Sequence, residues 1–272
     1  MSATTQGYLL NGRVRYAQPA DGFRSGIEPV LLAASIPARP GQRVLEGGTG
    51  AGAGLLCLLT RVPGVEGVGI ELDPDQAELA RANALTRHAG ACRPPRLSAT
   101  PTSNRVGPGL RRDGKGEGDA MTILTGDIET VVPDGVFDHA FANPPYHTAS
   151  GTASPSSARA TAKRAGTDLL AIWATALAKP LRARGTLTLI LPASSLPACI
   201  AAMAAAGCPA DRILPLWPKA GVPAKLMIVR GIKAGRPALR LLPGLVLHEA
   251  DGRFTPAADA ILRDAAALSL DH

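Results

Sequence analysis

Seven residues, Glu46-Gly47-Gly48-Thr49-Gly50-Ala51-Gly52, place four glycines between the apolar run QRVL and a helix-like segment over 51–61. Glycine is suited to such a place because it alone visits positive φ freely and lets a ligand approach the backbone closely. The surroundings repeat the same order of elements. VEGVGIELD (65–73) reads as a buried strand ending in acids, and Pro74 with Asp73 as N-cap opens a helix over 74–88. MTILTGDI (121–128) and FDHAFANPPY (137–146) read as strands, then a helix over 167–183, strand TLTLIL (186–191) and an Ala-rich helix. Further strands are expected near 212–217 and 224–232. Apolar strands alternating with helices predict an α/β fold, a mostly parallel sheet covered on both faces, with no internal repeat.

Open α/β sheets bind ligands at the carboxyl ends of their strands, where strand order reverses. The glycine turn does not match G-x-G-x-x-G cleanly and has no Walker lysine, so neither a dinucleotide fingerprint nor a P-loop is indicated. Glu46, Glu71, Asp73 and Asp127 all fall at or just after strand ends. Such a row of acids repels a pyrophosphate and suits a cationic ligand carrying ribose hydroxyls. E-G-G-T-G-A-G resembles the S-adenosyl-L-methionine loop of class I methyltransferases, D/E-x-G-x-G-x-G, with Gly47 as a small departure. The resemblance implies that Glu71 takes the ribose hydroxyls and Asp127 the adenine amine, while Glu46, Gly48 and Gly50 line the methionine end. Thr49, Leu72, Ile128 and Asn143 complete the cofactor contacts expected from it.

Asn143-Pro144-Pro145-Tyr146 carries the chemistry. An exocyclic amine is a weak nucleophile because its lone pair is delocalised into the ring. Two acceptors aimed at its two N–H groups draw the nitrogen toward pyramidal geometry and point the lone pair at an electrophilic methyl. The Asn143 side-chain carbonyl and the Pro144 main-chain carbonyl are the two candidates. Pro145 offers no N–H to compete and restricts Pro144 to extended geometry. Tyr146 offers a face on which a splayed base can stack. Orientation and fixed dipoles carry such a reaction without a strong base. Asn143, Pro144 and Tyr146 are therefore the candidate catalytic residues.

Charge bears on the partner. The 272 residues hold 23 Arg and 6 Lys, but 13 of these bases lie in 151–240 against 2 acids, and 121–150 holds 4 acids and no base. A basic half suits a polyanion such as RNA, with Pro145, Arg159, Lys163 and Arg164 the candidate substrate contacts beside the tetrad. Cys57, Cys92, Cys199 and Cys208 follow no zinc or C-x-x-C spacing, which suggests reduced, mostly buried thiols and no metal site. The N-terminus has no apolar signal core, so a cytoplasmic location is expected. Gly185–Ala210 is free of charge for 26 residues, but Pro192 and Pro197 and its alanines argue against a membrane span. Segment 91–119, poor in large apolar residues, is expected to be a mobile insertion in a single domain spanning 1–272. Trp173 is expected in the core.

The glycine loop and N-P-P-Y together resemble amino-methyltransferases acting on adenine N6, guanine N2 or glutamine amides. QPADGFRSGIEPVLLAASI (18–36) and VLHEADGRFTPAADAIL (246–262) resemble the bacterial tRNA1(Val) adenine N6-methyltransferases, with Phe23 for a usual Tyr and Glu28 for a usual Asp. That resemblance implies a Rossmann-like class I methyltransferase fold, residues 1–40 packed near the cofactor, and methylation of a tRNA anticodon-loop adenosine. After the tetrad the chain keeps Arg159, Lys163 and Arg164 but lacks the acid with which the family's basic stretch usually closes. The alternatives are a protein glutamine methyltransferase acting on a translation factor, and a non-catalytic RNA-binding protein of the same fold. The first usually has a helical N-terminal domain. The intact Glu46, Glu71, Asp127 and tetrad argue against the second.

Overall fold

A computed structural model describes residues 4–20, 26–89, 121–145 and 166–271. Strands β1 (Thr4–Leu9) and β2 (Val14–Pro19) form an antiparallel hairpin, and α1 spans Glu28–Ser35. There follow β3 (Arg43–Gly47), α2 (Ala53–Arg61), β4 (Glu66–Glu71), α3 (Pro74–Ala89), β5 (Met121–Thr125) and β6 (Phe137–Ala142). The second half holds α4 (Gly166–Ala178), β7 (Leu181–Pro192), α5 (Leu196–Ala205), β8 (Ala210–Lys219), β9 (Leu226–Ile232), β10 (Arg240–Leu241), β11 (Leu245–His248) and α6 (Pro256–Asp264).

Nine strands form one sheet in the order β5-β4-β3-β6-β7-β9-β8-β10, with β11 also on β8. Only β9 runs against the rest, antiparallel to β7 and β8. The chain winds outward from β3 to β5 and then returns to β6 on the other side of β3, so strand order reverses between β3 and β6. Helices cover both faces. Leu31 and Leu32 of α1, Leu55, Leu56, Leu58 and Leu59 of α2, and Ile261 of α6 pack on Val44, Phe141, Ile190 and Ile228. Each of those α2 leucines is fully buried and contributes about 2 kcal/mol by leaving water. Trp173 and Leu177 of α4 and Met203 of α5 fill the other face with Leu45, Val68, Leu187 and Val229. Trp173 is a core residue, as expected.

Three details depart from the sequence reading. The helix expected over 167–183 stops at Ala178, because Pro180 cannot continue it, and Leu181 already pairs with Phe137 in the sheet. The N-terminal hairpin and the short edge strands β10 and β11 carry too little apolar periodicity to be read. The turn between Lys219 and Leu226 is too short for a parallel crossover, so β9 must run antiparallel. Its Arg230 is 5 % exposed and grips Asp211 through two bonds of 3.1 and 2.7 Å and Asp271 through one of 2.8 Å. The expected insertion over 91–119 lies outside the described residues.

Candidate functional site

The register of the parallel strands assembles the site. Gly47, last residue of β3, pairs with Ala142 on one side and Ile70 on the other, and Glu71 pairs with Thr125. Asn143, Gly48, Glu71 and the Gly126–Asp127 turn therefore stand in a row on one rim, across the point where strand order reverses. An open α/β sheet presents its binding crevice there.

Gly48 (φ 62°) and Gly50 (φ 56°) take the left-handed conformation that lets the chain double back between β3 and α2. Space is tight behind this turn. A methyl group on Gly48 would lie 2.6 Å from the Trp173 ring, and one on Gly47 would lie 2.7 Å from Ile128 Cδ1. The departure at Gly47 thus has a packing reason. In front of the turn the situation is reversed, since a methyl on Gly50 would meet no atom of the described residues within 4 Å. The loop is closed toward the core and open at the rim, as a cradle for a ligand must be.

Two carboxylates brace it. Glu46 is 5 % exposed, and its Oε2 accepts from the Thr49 hydroxyl and, at 3.1 Å, from the Leu55 N–H. Burial pushes its carboxyl up to about 8. Thr49 turns its hydroxyl to Glu46 and donates its N–H to the Ile70 carbonyl at 3.1 Å. Glu46 and Thr49, expected to face a cofactor, therefore direct these polar groups inward and hold the loop. Glu71 sits differently, half-buried at the rim. Its Oε2 accepts from the Gly50 N–H at 2.7 Å and its Oε1 from the Asp73 N–H at 2.9 Å, and burial raises its carboxyl. Each oxygen keeps a lone pair for a hydroxyl.

The remaining expected residues distribute as follows. Asp127 is half-buried, with Oδ1 accepting from the Glu129 N–H at 2.9 Å. Ile128 approaches Gly47, and Leu72 is 41 % exposed, a large apolar side chain beside Glu71. Asn143 is half-buried, Pro144 buried and Pro145 exposed. Tyr146, Arg159, Lys163 and Arg164 lie outside the described residues.

The described bases of the basic half do not all gather around this rim. Arg182 and Arg184 lie at the start of β7, Lys179 just before it, and Lys233 and Arg236 follow the end of antiparallel β9. All five belong to the opposite rim, where Arg182 pairs with Asp138 at 2.6 Å. Arg230 is buried in its ion pairs. Of the described bases in 151–240, Lys219 and Lys225, which flank the β8–β9 turn, stand at the end of the sheet that carries Asn143. Segment charge alone could not show this, because strand direction decides to which rim a charge belongs.

One residue of the site escaped the sequence reading. Asn83, inside α3 and 3 % exposed, bonds both the glycine loop and the N-terminal hairpin. Its signal was an asparagine on the face of the helix that also carries Ala77, Ala80 and Ala84. Asparagine disfavours helix interiors and is seldom buried without partners.

No family model matches the chain. It is 33 % identical over 137 residues to the tRNA1(Val) (adenine(37)-N6)-methyltransferase of Porphyromonas gingivalis, a match covering 49 % of this chain and 45 % of that protein. The match thus spans about half the length of the curated relatives. Among solved structures, a predicted O-methyltransferase from Agrobacterium tumefaciens is 22 % identical with a TM-score of 0.63, over 90 % of this chain and 99 % of that one. A methyltransferase from Pyrococcus furiosus is 17 % identical with a TM-score of 0.54, over 82 % of this chain and 90 % of that one. The chain has the Rossmann-like class I methyltransferase fold, and S-adenosyl-L-methionine is its expected cofactor. Among the described residues no helix is long and apolar enough to cross a membrane.

Proposed function

We propose that this chain transfers a methyl group from S-adenosyl-L-methionine to adenine N6 in RNA, with a tRNA anticodon-loop adenosine as the substrate. The observation that carries the reading is the pairing of Gly47 with Ala142, which sets Asn143 beside Gly48 at the reversal of strand order. The residues present fit the cofactor. The open face at Gly50 offers room, Glu71 has lone pairs for two ribose hydroxyls, and Asp127 stands at the end of the next strand for the adenine amine.

When bound, the cofactor supplies a methyl group on a positively charged sulfur. Asn143 and Pro144 then hold the target: the Asn143 Oδ1 and the Pro144 carbonyl accept from the two N–H groups of the amine. Held by these two acceptors, the nitrogen would take up the methyl group that the cofactor supplies, and its proton would pass to solvent. Pro145 and Tyr146 are proposed to flank the base, and Arg159, Lys163 and Arg164 to contact phosphates with Lys219 and Lys225. The relatives' name supports adenine over glutamine.

Mass spectrometry of nucleosides from tRNA incubated with protein and cofactor tests this. N6-methyladenosine is expected, falling about a hundredfold or more in Asn143→Ala with the loss of one fixed dipole. Methylation of Asn143→Ala at the unaltered rate would overturn the catalytic assignment. Methyl label appearing in a protein fraction and absent from RNA would overturn the substrate.

A further inference from the structure

Asn83 makes three hydrogen bonds with one carboxamide, all to backbone. Its Oδ1 accepts from the Ala17 N–H at 2.9 Å, and its Nδ2 donates to the Ala17 carbonyl at 2.8 Å and to the Ala51 carbonyl at 2.9 Å. Only one orientation of the amide satisfies all three, since two carbonyls need the NH2 and one N–H needs the oxygen. Among the described residues β2 pairs only with β1, and its outer edge has no strand neighbour. The Asn83 amide occupies that edge at Ala17, replacing the peptide that a further strand would have supplied. Ala51, its third partner, lies between Gly50 and Gly52 in the loop whose open face points at the cofactor position.

We propose that Asn83 is a positioning residue for the cofactor. It locks the N-terminal hairpin to the glycine loop, so that loop geometry and hairpin docking form a single coupled state. This rests on the cofactor reading above and goes beyond it by making residues 4–19, remote in sequence from the loop, a determinant of cofactor affinity. The coupling is reciprocal: a ligand that fixes the loop carbonyl at Ala51 must also strengthen the hold on Ala17. Gln18 follows directly, and its Oε1 is buried without a partner among the described residues. Burial of Leu10, Val14 and Tyr16 holds the hairpin to the core, and the Asn83 bonds tie its Ala17 edge to the loop.

The test uses S-adenosylhomocysteine as probe, in calorimetry and in amide hydrogen exchange of the full chain. With the unaltered chain, the probe is expected to slow exchange of the Ala17 N–H and of the hairpin. In Asn83→Ala the dissociation constant should rise about tenfold, as for loss of a positioned hydrogen bond of ordinary strength, and the hairpin response should vanish. Asn83→Asp keeps the acceptor for Ala17 but turns a carboxylate toward two carbonyls. It should lose affinity similarly. A merely structural asparagine would lower the melting temperature and leave the affinity of the folded fraction unchanged. Probe affinity within twofold of the unaltered chain in either folded variant overturns the proposal. So does a hairpin whose exchange ignores the probe in the unaltered chain, a measurement that needs no variant to fold. If the unaltered chain does not bind the probe at all, the functional reading fails as well, which separates the two.

Discussion

Glu46 keeps its carboxyl in a place water does not reach, and that choice has a pH signature. Its pKa is raised from 4.5 to about 8 by burial, so the folded chain holds a proton that the unfolded chain releases. The stability this brings is complete below pH 4.5 and is lost as pH rises toward 8. Glu71, raised by the same cause, adds with the same sign. His139 opposes them. Its Nδ1 lies 2.8 Å from the Thr186 hydroxyl and its Nε2 3.1 Å from the Gln42 Oε1, and burial lowers its pKa from 6.5 to about 4. Its contribution is complete above pH 6.5 and is lost as pH falls toward 4. Between pH 6.5 and 8 the glutamates therefore act without His139. Urea denaturation across that window should show stability falling with pH, and Glu46→Gln should make the fall shallower. An unchanged slope in the variant would show that Glu46 is not the group responsible. Glu46 was visible in the sequence as an acid before glycines, but its inward direction was not. Only the contact with the α2 amide at Leu55 decides which way the carboxylate turns.

Antiparallel β9 carries a buried ion pair into the sheet. Arg230 crosses it to reach Asp211, 1 % exposed, on β8 and Asp271 near the carboxyl terminus, while Arg212 donates to the Leu270 carbonyl at 3.0 Å. Removing Arg230 leaves the buried Asp211, among the described residues, with only the Arg212 contact at 3.2 Å. Arg230→Ala is expected to cost about 3–5 kcal/mol in chemical denaturation. Asp271→Asn, whose carboxylate side chain is 60 % exposed, should cost less than about 1 kcal/mol. Equal losses would mean that the tail contact, and not the buried pair, holds this edge. β3 and β4 were legible as short apolar runs that each lead into a helix, and β5, β6 and the core of β7 by their apolar runs alone. The reversal at β9 was not, since hydrophobic periodicity is blind to strand direction.

At the scale of the whole molecule, the described bases of 151–240 are split between the two rims, Lys219 and Lys225 on the Asn143 side and Lys179, Arg182, Arg184, Lys233 and Arg236 on the other. If RNA lies over the rim that carries Asn143, Lys219→Glu with Lys225→Glu should raise its dissociation constant and flatten its salt dependence by about one to two unit slopes in a log–log plot. Lys179→Glu with Arg184→Glu and Arg236→Glu, on the far rim, should leave both unchanged in filter binding. A reversal of these two results would move the RNA to the other end of the sheet. The sequence showed that 151–240 is basic, and only the fold could sort those bases, because chain direction inverts between β7 and β9. The reversal of strand order between β3 and β6 has one more consequence. Glu71 and Asp127 stand on one flank of that seam and Asn143 on the other, so on the proposed function a substitution on either flank should weaken the grip on one ligand and spare the other.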